Sequence, residues 1–104
     1  MNTQFENVTL DKRANIYFDG KCVSHTVFLS DGSRKTLGVI FPSLLTFHTA
    51  SAEIMELNAG QCKVRLRGEA DWVNFEAGQN FSIPANSSFE IETIIMLDYV
   101  CHFG

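Results

Sequence analysis

Glycine, asparagine, aspartate and proline recur along this chain and divide it into mostly short β-preferring runs. Asn15-Ile16-Tyr17-Phe18 leads into Asp19-Gly20, a hairpin dipeptide in which both residues tolerate positive φ. Residues 21–29 follow as a strand, with Cys22, Val23, Thr26, Val27 and Phe28 supplying apolar or β-branched side chains. Ser30-Asp31-Gly32-Ser33 makes the next turn, residues 36–41 resume, Pro42 interrupts, and residues 44–49 form a further run. Lys63-Val64-Arg65-Leu66-Arg67 and Phe89-Glu90-Ile91-Glu92 alternate as strands with one buried face do. Residues 50–57 are ambiguous: Ala, Glu, Met and Leu suit a helical turn, but Asn58-Ala59-Gly60 ends the stretch early. Many short strands with regular punctuation predict an all-β sandwich or barrel.

Size and charge narrow the classes of function. A chain of 104 residues supports one hydrophobic core, so a single domain is expected over 1–104, with 1–13 as an N-terminal arm or edge strand. The 45% hydrophobic and 19% charged content is that of a globular protein. A net charge of −4 argues against binding a nucleic-acid backbone, though one lysine or a few N–H groups can still hold a small anion. Neither a bilayer-length apolar run nor a basic amphipathic segment points to a membrane. The first residues lack the basic and apolar regions of a signal peptide, which predicts a cytoplasmic protein. Cys22, Cys62 and Cys101 are odd in number, lack metal or redox spacing and sit in apolar runs, so buried free thiols are expected.

Two stretches carry a more specific pattern. Thr46, His48, Glu53 and Gly60 stand in one spacing, and Gly78, Pro84, Asn86 and Phe89 in another. Together they resemble the paired motifs of the cupin barrel, in which H-x-H is followed by Glu after three or four residues and a second motif ends in a further His. The resemblance implies a single cupin-type jelly-roll β-barrel. With the longer spacing only His48 and Glu53 remain as potential ligands, because Thr46 and Phe89 replace histidines. A transition-metal site wants three or four protein ligands, so no metal is expected. Alternation places Thr46 and His48 on one strand face, which the motif directs inward. Glu53 and Glu56 fall on opposite faces, and Glu90 and Glu92 on a wet outer edge. Lys63, Arg65 and Arg67 form a stripe that is either a solvated sheet face, an anion site or an inter-subunit contact.

Longer stretches resemble one family. Residues 15–21, Thr36-Leu37-Gly38-Val39-Ile40, Thr46-Phe47-His48-Thr49, Glu53-Ile54-Met55-Glu56, Trp72, residues 81–89 and Asp98-Tyr99-Val100-Cys101 are similar to the small bacterial pyrimidine/purine nucleoside phosphorylases. Pro42-Ser43-Leu44-Leu45 departs from the Pro-Gly-Glu-Tyr type of sequence associated with many members. The resemblance implies phosphorolysis of purine and pyrimidine nucleosides, with inorganic phosphate as co-substrate and no cofactor. A transition state of oxocarbenium character calls for held phosphate, a donor to the leaving base and fixed ribose hydroxyls. The corresponding expectations are Glu53 on the ribose hydroxyls and His48 as donor to phosphate or base. Lys21, helped by Ser24 or Thr46, meets the phosphate, and Tyr17 or Tyr99 stacks on the base. A homodimer is expected. Competing readings are a non-catalytic binding module, a metal-dependent enzyme recruiting His25 or His102, and a protein acting through its sheet surface.

Overall fold

In the computed structural model, which describes residues 3–104, these runs become eleven strands and one short turn of 3-10 helix. The strands are β1 (Thr9–Leu10), β2 (Asn15–Tyr17), β3 (Cys22–Phe28), β4 (Arg34–Ile40), β5 (Ser43–His48) and β6 (Glu53–Ala59). They continue as β7 (Gln61–Leu66), β8 (Val73–Glu76), β9 (Asn80–Ile83), β10 (Ser88–Thr93) and β11 (Leu97–Phe103). A seven-stranded sheet has the order β1-β3-β4-β11-β6-β9, with β2 also paired to β3, and a four-stranded sheet has the order β5-β10-β7-β8. Every pairing is antiparallel. Among the described residues neither sheet closes on itself, so the all-β expectation holds while the closed barrel is not seen.

The two sheets share one core. Ile40, Leu57, Ile83 and Leu97 from the larger sheet pack with Leu45, Val64, Phe89 and Ile91 from the smaller. The chain crosses between sheets at corners such as Gly60, the single residue between β6 and β7, at φ +92. The ambiguous stretch resolves as strand from Glu53 onward. β6 lies between β11 and β9, and the ladder on both sides outweighs the helix preference of Glu, Met and Leu.

The hairpin expected at Asp19-Gly20 is present and one residue wider on each side, since Tyr17 pairs with Cys22. Phe18, Asp19 and Gly20 all adopt positive φ, and the Phe18 ring meets Phe47 edge-on at 5.3 Å. Asn86, where the cupin pattern has glycine, also sits at positive φ, a conformation asparagine tolerates better than most residues. On the outer face of the smaller sheet, Arg65 reaches Glu90 at 2.7 Å and Lys63 reaches Glu92 at 3.0 Å. Trp72 lies beneath both cations. Lys63 and Arg65 are therefore engaged with their neighbours, each exposed pair contributing about 0–1 kcal/mol.

Candidate active site

On the inner face of the larger sheet the cross-strand register lines up side chains in rows. Cys22 sits opposite Ile40, and Ile40 opposite Leu97, in a wholly apolar row. The next row brings Asn15, Ser24, Gly38 and Tyr99 together, and the next Thr26, Thr36, Cys101 and Met55. The end of the sheet carries Arg34 on β4, Phe103 on β11 and Glu53 on β6. Polarity thus rises from one end of the sandwich to the other. The polar end opens as a cavity of about 340 Å³ lined by these groups and by Tyr17, Phe47, His48 and Phe89.

Glu53 is half-buried inside it. Burial pushes its carboxyl above the ordinary carboxylate range, and the Cys101 thiol and the nearby Arg34 charge partly offset that push. The Cys101 Sγ donates to Glu53 Oε1 at 3.4 Å. Burial, with Glu53 beside it, pushes the Cys101 thiol well up, so it remains a neutral donor. Tyr99 is likewise held as a neutral phenol, chiefly by burial and then by Cys22, whose Sγ lies 3.4 Å from its hydroxyl. Gly38 makes room for that hydroxyl: a Cβ there would lie 2.8 Å from Tyr99 Oη and 2.7 Å from the Val23 carbonyl oxygen. Gly38→Ala is accordingly expected to cost about 1–3 kcal/mol through overpacking and to displace the phenol. A fall in Tm together with a raised KM for the organic substrate checks it.

Two positional expectations are corrected. Along β5 the inward residues are Leu45 and Phe47, while Thr46 and His48 face outward. Thr46 is exposed and outside the cavity, and His48 is exposed at its mouth. Side chains alternate along a strand, so reading the motif with the longer spacing turned the whole strand over. With the shorter spacing Phe47 and Thr49 occupy the H-x-H places before Glu53. Phe47 pairs with Phe89 across the ladder, and their rings stack with centroids 5.6 Å apart. Thr49 is buried and its hydroxyl donates to the Pro84 carbonyl while accepting from the Ser87 N–H. It ties the two motifs together, with its hydrogen and one lone pair engaged. Lys21 is the second correction: it is exposed beyond the hairpin turn and does not line the cavity.

The remaining candidates divide cleanly. Glu53, Ser24, Tyr17 and Tyr99 line the hollow. His25 lies on the opposite sheet face, 3.2 Å from the Asp11 carbonyl oxygen, and His102 pairs with Glu56 at 2.8 Å on that same outer face. Neither enters the cavity. Of the departing stretch 42–45, none lines the cavity, and only Leu45 reaches the core. Asn15, Thr26, Arg34, Thr36 and Phe47 are lining groups that strand-by-strand reading missed. The turn Ser30-Asp31-Gly32-Ser33 held the signal, because closing that hairpin aligns Thr26 with Thr36. Among the described residues no group of three or more His, Cys, Asp or Glu side chains could hold a metal ion. Two phenyl rings and an engaged hydroxyl at the motif positions do not fit a cupin metal.

A solved protein of unknown function from Acinetobacter sp. ADP1 superposes with TM-score 0.95 at 50% identity, covering 97% of this chain and 98% of that one. A Bacillus subtilis oxalate decarboxylase variant superposes with TM-score 0.66 at 17% identity over 80% of this chain and 26% of that one, a likeness of fold alone. The fold and the hollow together define a cupin-like all-β protein with a polar, aromatic-walled cavity in place of a metal-ligand set. A protein from Herminiimonas arsenicoxydans named pyrimidine/purine nucleoside phosphorylase is 65% identical over 99% of both chains. The family model of that description matches residues 12–103, and this chain belongs to the pyrimidine/purine nucleoside phosphorylase family.

Proposed function

We propose that this protein catalyses phosphate-dependent cleavage of purine and pyrimidine nucleosides to free base and ribose 1-phosphate. Family membership supports the reaction class. The observation that carries the reading within the molecule is the Glu53 carboxylate, thiol-bonded and half-buried, in one hollow with a guanidinium and a wall of hydroxyls.

In this reading a phosphate oxygen bonds to C1′ as the C–N glycosidic bond breaks, and the bonding pair leaves with the base. Glu53 accepts hydrogen bonds from the ribose hydroxyls, and its charge faces the positive charge that develops on the sugar. The Tyr99 phenol donates from the inner wall beside Ser24. Tyr17 and the Phe47–Phe89 stack offer flat faces to the base, which suits broad selectivity because every base has a π-face. His48 donates to the leaving base from the mouth. Its exposure leaves it mobile, so His48→Ala is expected to lower kcat by less than tenfold, checked by steady-state turnover.

The reaction needs no metal in this reading, and a chelator leaves the rate unchanged. The protein acts in the cytoplasm as a homodimer. Support for the dimer comes from the outer face of the larger sheet, where Ile16 is 67% exposed beside the half-buried Val23, Leu37 and Val39, and Ile54 is 45% exposed. A second copy would cover that apolar strip.

The test is to incubate the purified protein with several nucleosides, with and without phosphate, and to measure free base. Release that requires phosphate and yields ribose 1-phosphate supports the reading. Release without phosphate points to a hydrolase, and binding without release to a ligand-binding module.

A further inference from the structure

We propose that the phosphate co-substrate is held at the Arg34 end of the cavity, by the Arg34 guanidinium with the Thr26 and Thr36 hydroxyls, and that Asn15 is the positioning residue that aims the Thr26 hydroxyl. The proposal rests on the phosphorolysis reading for the identity of the anion. The site itself rests on four observations.

First, Arg34 is the only Lys or Arg side chain lining the cavity. Lys21 lies outside it, and Lys63 and Arg65 are paired with glutamates on the far face of the other sheet. Second, among the described residues the Arg34 guanidinium makes no ion pair. The exposed Arg34 side chain instead sets its Cζ 4.1 Å from the Phe103 ring centroid, a cation–π contact that leaves N–H groups available. A guanidinium is built for bidentate bonding to tetrahedral oxyanions.

Third, Ser24, Thr26 and Thr36 are buried to 2%, 8% and 9% exposure on the same inner face. Ser24 bonds Tyr99 and Thr36 bonds Cys101, so Thr26 is the hydroxyl with its hydrogen uncommitted, in a connected hydroxyl wall beside the cation. Fourth, Asn15 Nδ2 donates to Thr26 Oγ1 at 3.0 Å and to Ser24 Oγ at 3.3 Å. A hydroxyl that accepts from an amide keeps its own hydrogen to donate elsewhere. The amide therefore turns the Thr26 hydroxyl toward an acceptor, and phosphate presents mainly acceptor oxygens. Glu53 adjoins the same end, so the nucleophile and the ribose are brought side by side.

The test uses the full chain in two independent assays. Initial rates are measured against phosphate and against nucleoside for wild type, R34Q, R34K, N15D and K21Q. Inorganic phosphate alone is titrated into each protein by calorimetry, and thermal melts confirm that each variant folds. R34Q is expected to raise the phosphate KM at least tenfold with the nucleoside KM changed less than twofold, and R34K to recover part of the loss. N15D places an acceptor opposite the hydroxyls, so their hydrogens turn to it and phosphate affinity falls, again with nucleoside KM spared. K21Q is expected to match wild type. An unchanged phosphate KM in R34Q, or a loss confined to nucleoside KM, overturns the assignment while phosphorolysis stands. Base release by wild type without phosphate overturns the phosphorylase reading instead. The calorimetric titration then still decides the site: wild type that fails to bind phosphate, or R34Q that binds it equally well, overturns it.

Discussion

Glu53→Gln is expected to lower kcat by about two orders of magnitude while the protein folds normally. Glutamine keeps the size and the oxygen but loses the charge that faces the developing oxocarbenium ion. It also replaces an acceptor oxygen with a donor N–H where ribose hydroxyls must be bound. The same substitution acts on stability in the opposite direction. Burial, only partly countered by the Cys101 thiol and Arg34, raises the Glu53 pKa above its ordinary 4.5. The folded chain therefore binds this proton more tightly than the unfolded chain. The associated stability is fully present below the unfolded pKa and is lost as pH rises through the folded value. At neutral pH the wild type bears the cost of a half-buried carboxylate and the glutamine variant does not. Melting curves at pH 7 and at about pH 4 check this: the variant gains relative to wild type at pH 7, and the gain shrinks in acid. A variant that retains wild-type turnover removes Glu53 from the reaction.

Gly60→Ala is expected to be the most damaging conservative substitution for the fold. At φ +92 an L-residue is strained, by about 1–3 kcal/mol. Here a second penalty adds to it, because a Cβ would lie 2.5 Å from the Met96 carbonyl oxygen and 3.2 Å from the Leu97 Cα. Both contacts are backbone at the start of β11, so nothing flexible can yield. The corner between the sheets and the chain entering the central strand β11 would have to separate. A loss of about 3 kcal/mol or more corresponds to a fall in Tm of well over 10 °C for a domain of this size. Gly68→Ala is the control, since its φ of +85 carries similar strain with nothing within 4 Å of the added carbon. Equal losses in the two variants would show that strain alone, and not the crossing at Met96, sets the cost.

Strand positions were legible because they depend on neighbours in sequence. The alternation of residues 63–67 placed Val64 in the core and left Lys63 and Arg65 outside, where they pair with Glu92 and Glu90. The free buried cysteines followed from the apolar runs that contain them. Positive φ at Asp19, Gly20, Gly60 and Gly78 followed from residue type at turns. The place of Glu53 in the cavity wall was legible for a similar reason, since its spacing to Gly60 spans one strand and its corner.

The facing of β5 could not be read in this way. Thr46/His48 and Leu45/Phe47 are equally regular alternations, and the motif allows either spacing before Glu53. Only the ladder to β10, which sets Phe47 against Phe89, decides which pair turns inward. The family, the strand order along the chain and the carboxylate of the site were thus determined by the residues in sequence. The cation and the hydroxyl wall were decided by tertiary structure alone. Asn15, Arg34 and Phe103 are distant in sequence, and their rows exist only once β2, β3, β4 and β11 are hydrogen-bonded in register. A one-residue change in that register leaves every local preference satisfied and points every one of those side chains the other way.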